Sequence, residues 1–221
     1  MAKKVVYSMR TKTQRFKDFI TFPIRAVAIF YSDKWGLSSL ATERFDYVSR
    51  EVRGRCLDIG CGIGNRFIKE FCQGNGVGID IYLHEGLTEE DIVPDMTHLP
   101  FQNESFDTVT FIANLNHIPK PLRDAELKEA YRVLRTNGTV VITMGNPLAE
   151  LVVHKVVWMY DELFHAHQDI DNERGMVEGE EFYLLDREII QRLQLAGFCG
   201  IKKKYFWTQW GLNHLFVANK S

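Results

Sequence analysis

The chain has 221 residues, 45% of them hydrophobic and 25% charged, which is the composition of an ordinary globular domain with a full core. Its 27 lysine and arginine residues nearly balance its 29 aspartate and glutamate residues, so no general basic field is available to hold nucleic acid. No segment has the roughly 20 apolar residues that a membrane span requires, and the four cysteines form no C-x-x-C pair. These totals favour one soluble, cytoplasmic domain with reduced thiols.

The N-terminal segment is basic first and apolar afterwards. Residues 1–18 are polar and basic and are predicted to be loosely ordered. Residues 19–31 are rich in apolar and aromatic side chains and predict a helix with Pro23 in its first turn, where proline is tolerated. Two uses remain open for this segment. It covers one face of the core, or it touches a membrane surface, because cationic residues precede the aromatic ones.

A strand, a glycine turn and a helix come next, in the order of a nucleotide-binding α/β unit. Residues 41–52 have apolar side chains at helical spacing and predict a helix. Residues 55–59 predict a buried strand, and glycine then occupies every second position at Gly60, Gly62 and Gly64. A second helix is predicted to begin directly after the third glycine. Glycine leaves the backbone open to a ligand that lies across the strand ends.

The second predicted strand ends on an acidic residue. Residues 76–80 are mostly apolar until Asp80, which lies twenty positions after Gly60. A carboxylate at this point can accept hydrogen bonds from both hydroxyl groups of a ribose. The G-x-G-x-G spacing differs from the G-x-G-x-x-G of dinucleotide folds, and no Lys-Ser or Lys-Thr pair follows, so a phosphate-binding loop is not predicted. A tight turn without a ligand is the structural alternative for the glycines alone.

Two further motifs complete the pattern. Residues 95–101 read DMTHLPF and residues 105–109 read SFDTV. Together with Asp58, the glycine turn and Asp80, these motifs resemble the class I methyltransferases that depend on S-adenosylmethionine (SAM), and most of all their type-11 subgroup. The resemblance runs over about residues 53–143. It implies SAM as the cofactor and S-adenosylhomocysteine as the product, and it does not specify the acceptor.

The resemblance implies an α/β fold with a Rossmann-like, doubly wound sheet. Seven strands are expected in the order 3-2-1-4-5-7-6, with the last strand antiparallel. The fourth to seventh strands are predicted at residues 106–113, 139–144, 201–208 and 212–218. Helices are predicted at residues 121–135 and from a cap at Asp186 to Gly197.

Two departures from a plain sheet are predicted. Asp80 and Asp95 are only 15 positions apart, so the second helix of the fold must be reduced to a turn near residues 88–91. One domain is predicted over residues 1–221. In this domain residues 1–40 would form a cap, which in the family often folds over the cofactor, and residues 145–185 would form an insertion on the acceptor side.

The resemblance also implies individual roles around the methionine part of SAM. Gly60, Cys61, Gly62 and Gly64 would pass under it. Asp58 would orient that turn or meet the ligand's amino group through water. A turn or capping role is the structural alternative for Asp58.

Around the nucleoside, the resemblance implies that Asp80 takes the ribose hydroxyls and that Ile81 lies against the adenine. Asp95 would accept from the adenine amino group, beside the backbone of Met96. The backbone of Asn114 would hold the methionine amino group.

His117 is the first candidate for a catalytic base, because it follows the fourth strand, where many relatives have a histidine. A hydroxyl or carbon acceptor needs such a base, whereas an amine or thiolate can react without one. A structural hydrogen bond under the pocket is the alternative. His154, His165, His167 and Glu181 are weaker candidates in the insertion.

Other polar residues of the insertion have less specific patterns. His165 and His167 with Asp169 and Asp171 could be read as metal ligands, but a solvated polar loop is favoured and no metal is expected. Asn146 either positions an acceptor or turns the chain. Aromatic side chains that could line an acceptor pocket, or simply belong to the core, are Phe30, Trp35, Trp158, Tyr160, Phe164, Phe182 and Tyr183, with Trp207 and Trp210 as possible additions.

The resemblance implies an enzyme that methylates a small molecule. O-methylation of a glycan, a lipid-linked sugar or an aromatic metabolite is the favoured reaction. A SAM-binding protein without catalysis is the alternative of another class, and a tRNA or protein methyltransferase is a further one. A dinucleotide oxidoreductase is disfavoured by the glycine spacing. No nucleic-acid partner is expected, weak membrane contact through the N-terminal segment stays open, and the oligomeric state is not predicted.

Overall fold

The computed structural model describes residues 10–28, 33, 35–146, 181 and 183–221. Its strands in this part of the chain form one sheet in the order β2-β1-β3-β4-β6-β5. The strands are β1 (Cys56–Ile59), β2 (Gly76–Ile79), β3 (Phe106–Ile112), β4 (Leu134–Gly145), β5 (Cys199–Tyr205) and β6 (Asn213–Asn219). The first four run parallel, and β6 is antiparallel to both of its neighbours. The α/β fold, the antiparallel last strand and the order of the six strands confirm the prediction.

The third strand of the predicted seven is not formed in the described residues. In its place a single bridge joins Asp80 and Ile92, with hydrogen bonds from Asp80 N to Asp91 O (3.0 Å) and from Val93 N to Asp80 O (2.9 Å). A 3-10 turn at Glu89–Asp91 precedes the bridge and Pro94 follows it. Proline cannot donate to a ladder, so pairing stops there. The turn itself confirms the predicted reduction of the second helix.

Helices cover both faces of the sheet and enclose two apolar cores. α3 (Arg123–Val133) and α4 (Asp186–Leu195) pack on one face, and α2 (Leu40–Ser49) packs on the other. The central strands are largely buried on both sides because each is covered by helices on both faces, as in other parallel sheets. Burial of each large apolar side chain in these cores stabilises the fold by about 1.5–3 kcal/mol relative to leaving it in water. The predicted strands and the helices at residues 41–52 and 121–135 lie within a few residues of the observed ones.

The helix expected after the glycine turn is much shorter than predicted. The chain forms a 3-10 turn at Ile63–Asn65 and one π-type turn at Phe67–Phe71. Gln73 and Gly74 then take positive φ angles of 55° and 73°, which ends the helix before β2 begins. Phe67 and Ile68 are nevertheless buried against α2, as their spacing indicates.

α1 (Lys12–Ala28) also differs from the prediction. Its first seven residues are helical rather than loose, and Pro23 lies inside the helix rather than in its first turn. Asp18 explains the early start, because its buried carboxylate accepts from Arg10 and Gln14. No helix in the described residues is long and apolar enough to cross a membrane.

Asp186 does not cap α4 through its side chain. The N-cap residue is Leu185 and Asp186 is the first residue of the helix. Its carboxylate is engaged elsewhere, because it pairs with Lys203 and lies 3.1 Å from Nε2 of His214. The predicted helix end is confirmed, since Gly197 has a φ of 102° just after α4.

Candidate functional site

The glycine turn lies at the carboxyl end of β1 and is tied to β2 by its backbone. Gly60 N and Cys61 N both donate to Ile79 O, at 2.9 and 3.0 Å. Gly60 has a φ of 74°, and a Cβ there would lie 2.3 Å from the Asn114 carboxamide. A Cβ at Gly62 would meet no atom within 4 Å. Asn114 therefore occupies the space beside Gly60, whereas the space beside Gly62 is accessible to a ligand.

Asp80 joins the end of β2 to this turn. Its Oδ2 accepts from Gly62 N at 2.9 Å, and its Oδ1 accepts from Tyr82 N at 3.1 Å. His84 Nε2 lies 3.6 Å from Oδ1. A carboxylate has about four lone-pair positions, so two remain for further donors. The sequence indicated a ligand role for Asp80 and missed its bond to the turn, because that bond joins two separate motifs.

The segment after Asp80 folds back onto the turn. Gly64 N donates to Glu85 O at 2.8 Å, and a Cβ at Gly86 would lie 3.0 Å from Gly64 Cα. Ile81 begins this segment with an exposed side chain. The turn is thus braced from β2 as well as β1, while an apolar surface stays accessible beside it.

Asp58 lies in the middle of β1 and is almost fully buried. Its Oδ1 accepts from the Thr110 hydroxyl of β3 at 2.6 Å. Burial raises the pKa of Asp58 to about 8, against the opposing hydrogen bond from Thr110, and the charge of Asp80 adds to the rise. Its partner in the structure is thus β3 rather than the turn. Burial likewise raises the pKa of the Cys61 thiol to about 12, so this thiol stays protonated.

Asn114 and His117 lie in a turn at the carboxyl end of β3. Asn114 Nδ2 donates to Ile59 O at 3.0 Å, which joins this turn to the end of β1. Ala113 has a φ of 51°, and its N–H donates to the Thr143 hydroxyl of β4 at 2.8 Å. His117 N donates to Asn114 O at 2.8 Å, and the imidazole is half-buried. Gly60 and Asn114 are therefore in contact, and His117 lies one turn further on.

Asp95 and Met96 lie beyond the bridge at Ile92. The Asp95 carboxylate is exposed and accepts from Thr97 N at 2.9 Å and from His98 Nδ1 at 2.9 Å. The hydrogen bond from the Thr97 hydroxyl, followed by that from His98, holds the pKa of Asp95 below its usual range. Met96 is buried in the core. Both partners of Asp95 lie within three residues of it along the chain, and neither of these hydrogen bonds connects it to Asp80.

Glu126 of α3 is a buried acidic residue that the sequence reasoning missed. Burial raises its pKa to about 7, and the charge of Asp95 adds to the rise. The signal in the sequence is weak, because a glutamate in the first turn of a helix usually serves the helix dipole.

A further polar group, centred on Arg123, lies next to the turn that carries His117. Buried Arg123 of α3 donates to Ile118 O at 2.8 Å and pairs with Glu181, whose own N–H donates to Asn116 O at 3.0 Å. The guanidinium holds the pKa of Glu181 below its usual range. An ionised carboxylate that is paired in this way is a weak base. The end of the predicted insertion is thus attached to the turn that carries His117.

Most of the insertion lies outside the described residues, as does part of the segment before α2. The predictions that fall there concern Phe30, His154, Trp158, Tyr160, Phe164, His165, His167, Asp169, Asp171 and Phe182. Asn146, at the start of the insertion, donates its N–H to Leu212 O at 2.8 Å. It borders an open cleft of about 510 Å³ that Leu185, Asp186 and Lys203 also line.

These features define the class of protein. A parallel sheet whose first strand ends in a glycine turn, with an acidic residue at the end of the second strand, is a nucleoside-binding α/β fold. Residues 57–142 match the family model of the type-11 methyltransferase domain. The predicted resemblance to the type-11 methyltransferases, a family that uses SAM as its cofactor, is therefore confirmed over this part of the chain.

Three relatives illustrate the match. A demethylmenaquinone methyltransferase of Lactobacillus johnsonii is 29% identical over 163 residues, which cover 62% of this chain and 65% of that protein. A ubiquinone/menaquinone biosynthesis C-methyltransferase of Burkholderia mallei is 25% identical over 81% of this chain and 82% of its own length. A solved SAM-dependent methyltransferase of Thermotoga maritima, described as a possible histamine N-methyltransferase, has a TM-score of 0.56 and 17% identity over 94% of this chain and 97% of its own. It shows the fold.

The match spans less than two thirds of several curated relatives, with shares of 65%, 27% and 41%. The family match at residues 57–142 covers β1 to most of β4, the part of the sheet in which the SAM-binding residues are predicted.

The described residues fit SAM. The open side of the turn at Gly62 leaves room for a ligand. Two lone-pair positions on Asp80 remain for ribose hydroxyls, and Ile81 offers an exposed apolar surface.

Proposed function

We propose that the protein transfers a methyl group from SAM to a small molecule that carries a hydroxylated ring. The observation that carries the proposal is the meeting of three motifs at one edge of the sheet. Gly62 N is bonded to Asp80, and Asn114 contacts Gly60 and bonds Ile59 O. His117 and Glu181 follow directly on the acceptor side.

Each residue of the cofactor site has a binding role in this proposal. Bound SAM supplies an electrophilic methyl group on a sulfonium. Asp80 accepts from the ribose hydroxyls, and Ile81 packs on the adenine. Asp95, ionised at neutral pH, accepts from the adenine amino group beside Met96. Asn114 O, which keeps one lone pair beyond its bond from His117 N, accepts from the methionine amino group.

Asp58 and the turn have supporting roles. The neutral carboxyl of Asp58 joins β1 to β3 under the turn and so fixes the distance between Gly60 and Asn114. Cys61, as a buried thiol, packs beneath Gly60, Gly62 and Gly64 without bringing a charge to the site.

His117 is proposed as the base that takes a proton from the acceptor hydroxyl. Alignment of the acceptor within about 3 Å of the methyl group then accounts for much of the rate. Glu181 is less suited because Arg123 keeps it ionised and engaged. The cap at residues 1–40 and the acceptor insertion at residues 145–185 of a single domain stay proposals, as does a location in the cytoplasm.

Two acceptor chemistries follow from a hydroxylated ring. O-methylation of a glycan, a lipid-linked sugar or an aromatic metabolite was favoured by the sequence. C-methylation of a quinol-like ring is favoured by the names of the Lactobacillus and Burkholderia relatives. Removal of a phenolic proton activates both the oxygen and the adjacent ring carbon, so one base serves either reaction. No nucleic-acid acceptor is proposed, because the net charge is −2.

The test uses SAM with a labelled methyl group. The purified protein is incubated with a reduced demethylated naphthoquinone, with lipid-linked sugars and with total RNA, and the products are separated. Label on the quinol carbon or oxygen supports the proposal and identifies the atom, and His117→Gln should then lower kcat by about 100-fold or more. Label on RNA alone contradicts the acceptor class. SAM binding without any transfer favours a regulatory SAM-binding protein.

A further inference from the structure

α1 buries two charged side chains and exposes a row of apolar ones. Asp18 and Arg25 are fully buried. Phe16, Ile20 and Ile24 are 60%, 57% and 61% exposed. These three lie four positions apart, so they form one stripe along the helix. An ordinary surface helix of a globular protein has the opposite arrangement.

The buried charges fix this orientation. Arg25 Nη1 donates to Glu43 of α2 at 2.9 Å and to Ser38 O at 2.8 Å, and its Nη2 donates to Asp18 O at 2.6 Å. Asp18 in turn pairs with Arg10. Rotation of α1 to bury its apolar stripe would leave these groups without partners in a dry environment. The exposed stripe is therefore a consequence of how the helix is held.

Aromatic side chains extend the stripe. Phe19 lies 5.7 Å from the ring of Trp207 and 6.3 Å from that of Trp210, and the Trp210 indole donates to Phe19 O at 3.0 Å. Trp210 is 54% exposed. We name Phe16, Phe19, Ile20, Ile24, Trp207 and Trp210 the outer face of α1.

The outer face is bordered by cations. Lys12 and Lys17 are exposed on α1, and the Arg15 guanidinium lies 5.1 Å from the Trp207 ring centre. The acidic residue of α1, Asp18, is buried. The border is thus positive although the whole chain has a net charge of −2. Apolar and tryptophan side chains with lysine and arginine at their margin match the boundary between lipid headgroups and acyl chains.

We propose that the outer face of α1 lies on the surface of an anionic lipid bilayer. The apolar stripe enters the headgroup region, and Lys12, Arg15 and Lys17 pair with lipid phosphates. Attraction is local and requires anionic lipid, because the rest of the protein is not basic.

This contact would place the methyl-transfer site close to the bilayer. α1 is bonded to Ser38 and Glu43 at the start of α2. Arg66, which follows the glycine turn, donates to Thr42 of the same α2 turn. A lipid-soluble ring could then reach the site from the membrane, and that part of the inference rests on the proposed function. The membrane contact itself does not.

Co-sedimentation with vesicles tests the contact without any acceptor. The full chain is mixed with vesicles of phosphatidylcholine alone or with phosphatidylglycerol added. The variant Phe16→Ser/Ile20→Ser/Ile24→Ser should lose at least 10-fold in partitioning to the anionic vesicles. Leu195→Ser of α4, where Leu195 is 64% exposed, is the matched control and should change it less than 2-fold. Lys12→Gln/Lys17→Gln should abolish the preference for anionic lipid, as should high salt.

Folding of each variant is checked by SAM binding, which should be unchanged. Equal binding of the triple variant and the wild type to anionic vesicles would overturn the proposal, as would no preference of the wild type for anionic lipid. A dimer in light scattering that the triple variant converts to a monomer would assign the outer face to a second copy instead. Vesicle binding without methyl transfer to any acceptor would contradict the proposed function alone.

Discussion

In the turn at residues 60–64 backbone groups make most of the bonds, whereas α1 is held by charged side chains. The turn is bonded to Ile79 O, Asp80 and Glu85 O. α1 is held through Arg25, whose bonds reach 18 positions along the chain to Glu43. The backbone bonds of the turn can be predicted from the sequence, because the turn requires glycine at fixed positions. The buried ion pairs of α1 cannot, because the sequence does not show which acidic residue an arginine will meet.

The largest effect is expected where the buried charge of α1 is removed. Arg25→Met leaves Glu43 with weaker partners in a buried site and should lower the free energy of unfolding by about 3–5 kcal/mol. Urea denaturation measures it. Arg135→Met is the control, since Arg135 pairs with Asp107 where both side chains are accessible to water, and such surface pairs contribute about 0–1 kcal/mol. Equal losses in the two variants would show that α1 is not held by its buried charges.

A slightly smaller effect is expected in the turn. Gly60→Ala puts a Cβ 2.3 Å from Asn114 and keeps a φ of 74°, so the turn must shift. We expect SAM affinity to fall about 100-fold, equal to about 2.7 kcal/mol, in calorimetric titration. Gly74→Ala has a similar φ of 73° but open space around its Cβ, so it should lower stability by about 1 kcal/mol and leave SAM binding intact. If Gly60→Ala still bound SAM tightly, the turn would not be part of the SAM-binding site.

Asp80→Asn removes the negative charge beside the same turn and keeps the size of the side chain. The carboxamide oxygen can still accept from Gly62 N, whereas Tyr82 N loses its acceptor to the amide NH2 group, and no ionised acceptor is left for ribose hydroxyls. A charge-assisted hydrogen bond contributes about 1.5–3 kcal/mol, so a 10- to 100-fold weaker SAM affinity is expected in the same titration. Glu90→Gln, an exposed acidic residue of the nearby 3-10 turn, should have no effect. An unchanged affinity in Asp80→Asn would contradict the ribose role.

The smallest step, about 1.4 kcal/mol for each pH unit, concerns the protonation of Asp58. Its pKa is about 8 in the folded protein, against an ordinary value of 3.8 that applies to the unfolded chain, so the folded state holds one more proton between these values. The free energy of unfolding should therefore fall by about 1.4 kcal/mol for each pH unit that is added from about 5 to 7. Asp58→Asn should remove this slope in urea titrations at pH 5, 6 and 7. Glu126 and His214 also have shifted pKa values, of about 7 and about 4, so the difference between wild type and variant is the quantity to compare. Identical slopes would mean that Asp58 is ionised in the folded protein.

The sequence predicted those parts of the fold that depend on residues close together along the chain. The positions of most strands, the glycine turn, α2 and the reduced segment after Asp80 follow from apolar periodicity, glycine spacing and chain length. The strand order was predicted from the family resemblance. The short turn at Phe67–Phe71, the interior position of Pro23 and the pairing of Asp186 with Lys203 did not follow. They depend on partners far along the chain, as Asp58 depends on Thr110. The roles of the site residues toward a ligand stay predictions.

The hydrogen bonds of the glycine turn also affect which ligands it can bind. The N–H groups of Gly60, Cys61, Gly62, Gly64 and Asn65 all donate to acceptors within the protein. A loop that binds phosphate aims such N–H groups at its ligand. Here they are turned inward, and Asp80 adds a negative charge at the same place. These five N–H groups are thus not directed at a ligand, and we expect the turn to discriminate against nucleotides with phosphate groups in favour of a nucleoside that carries a positive charge.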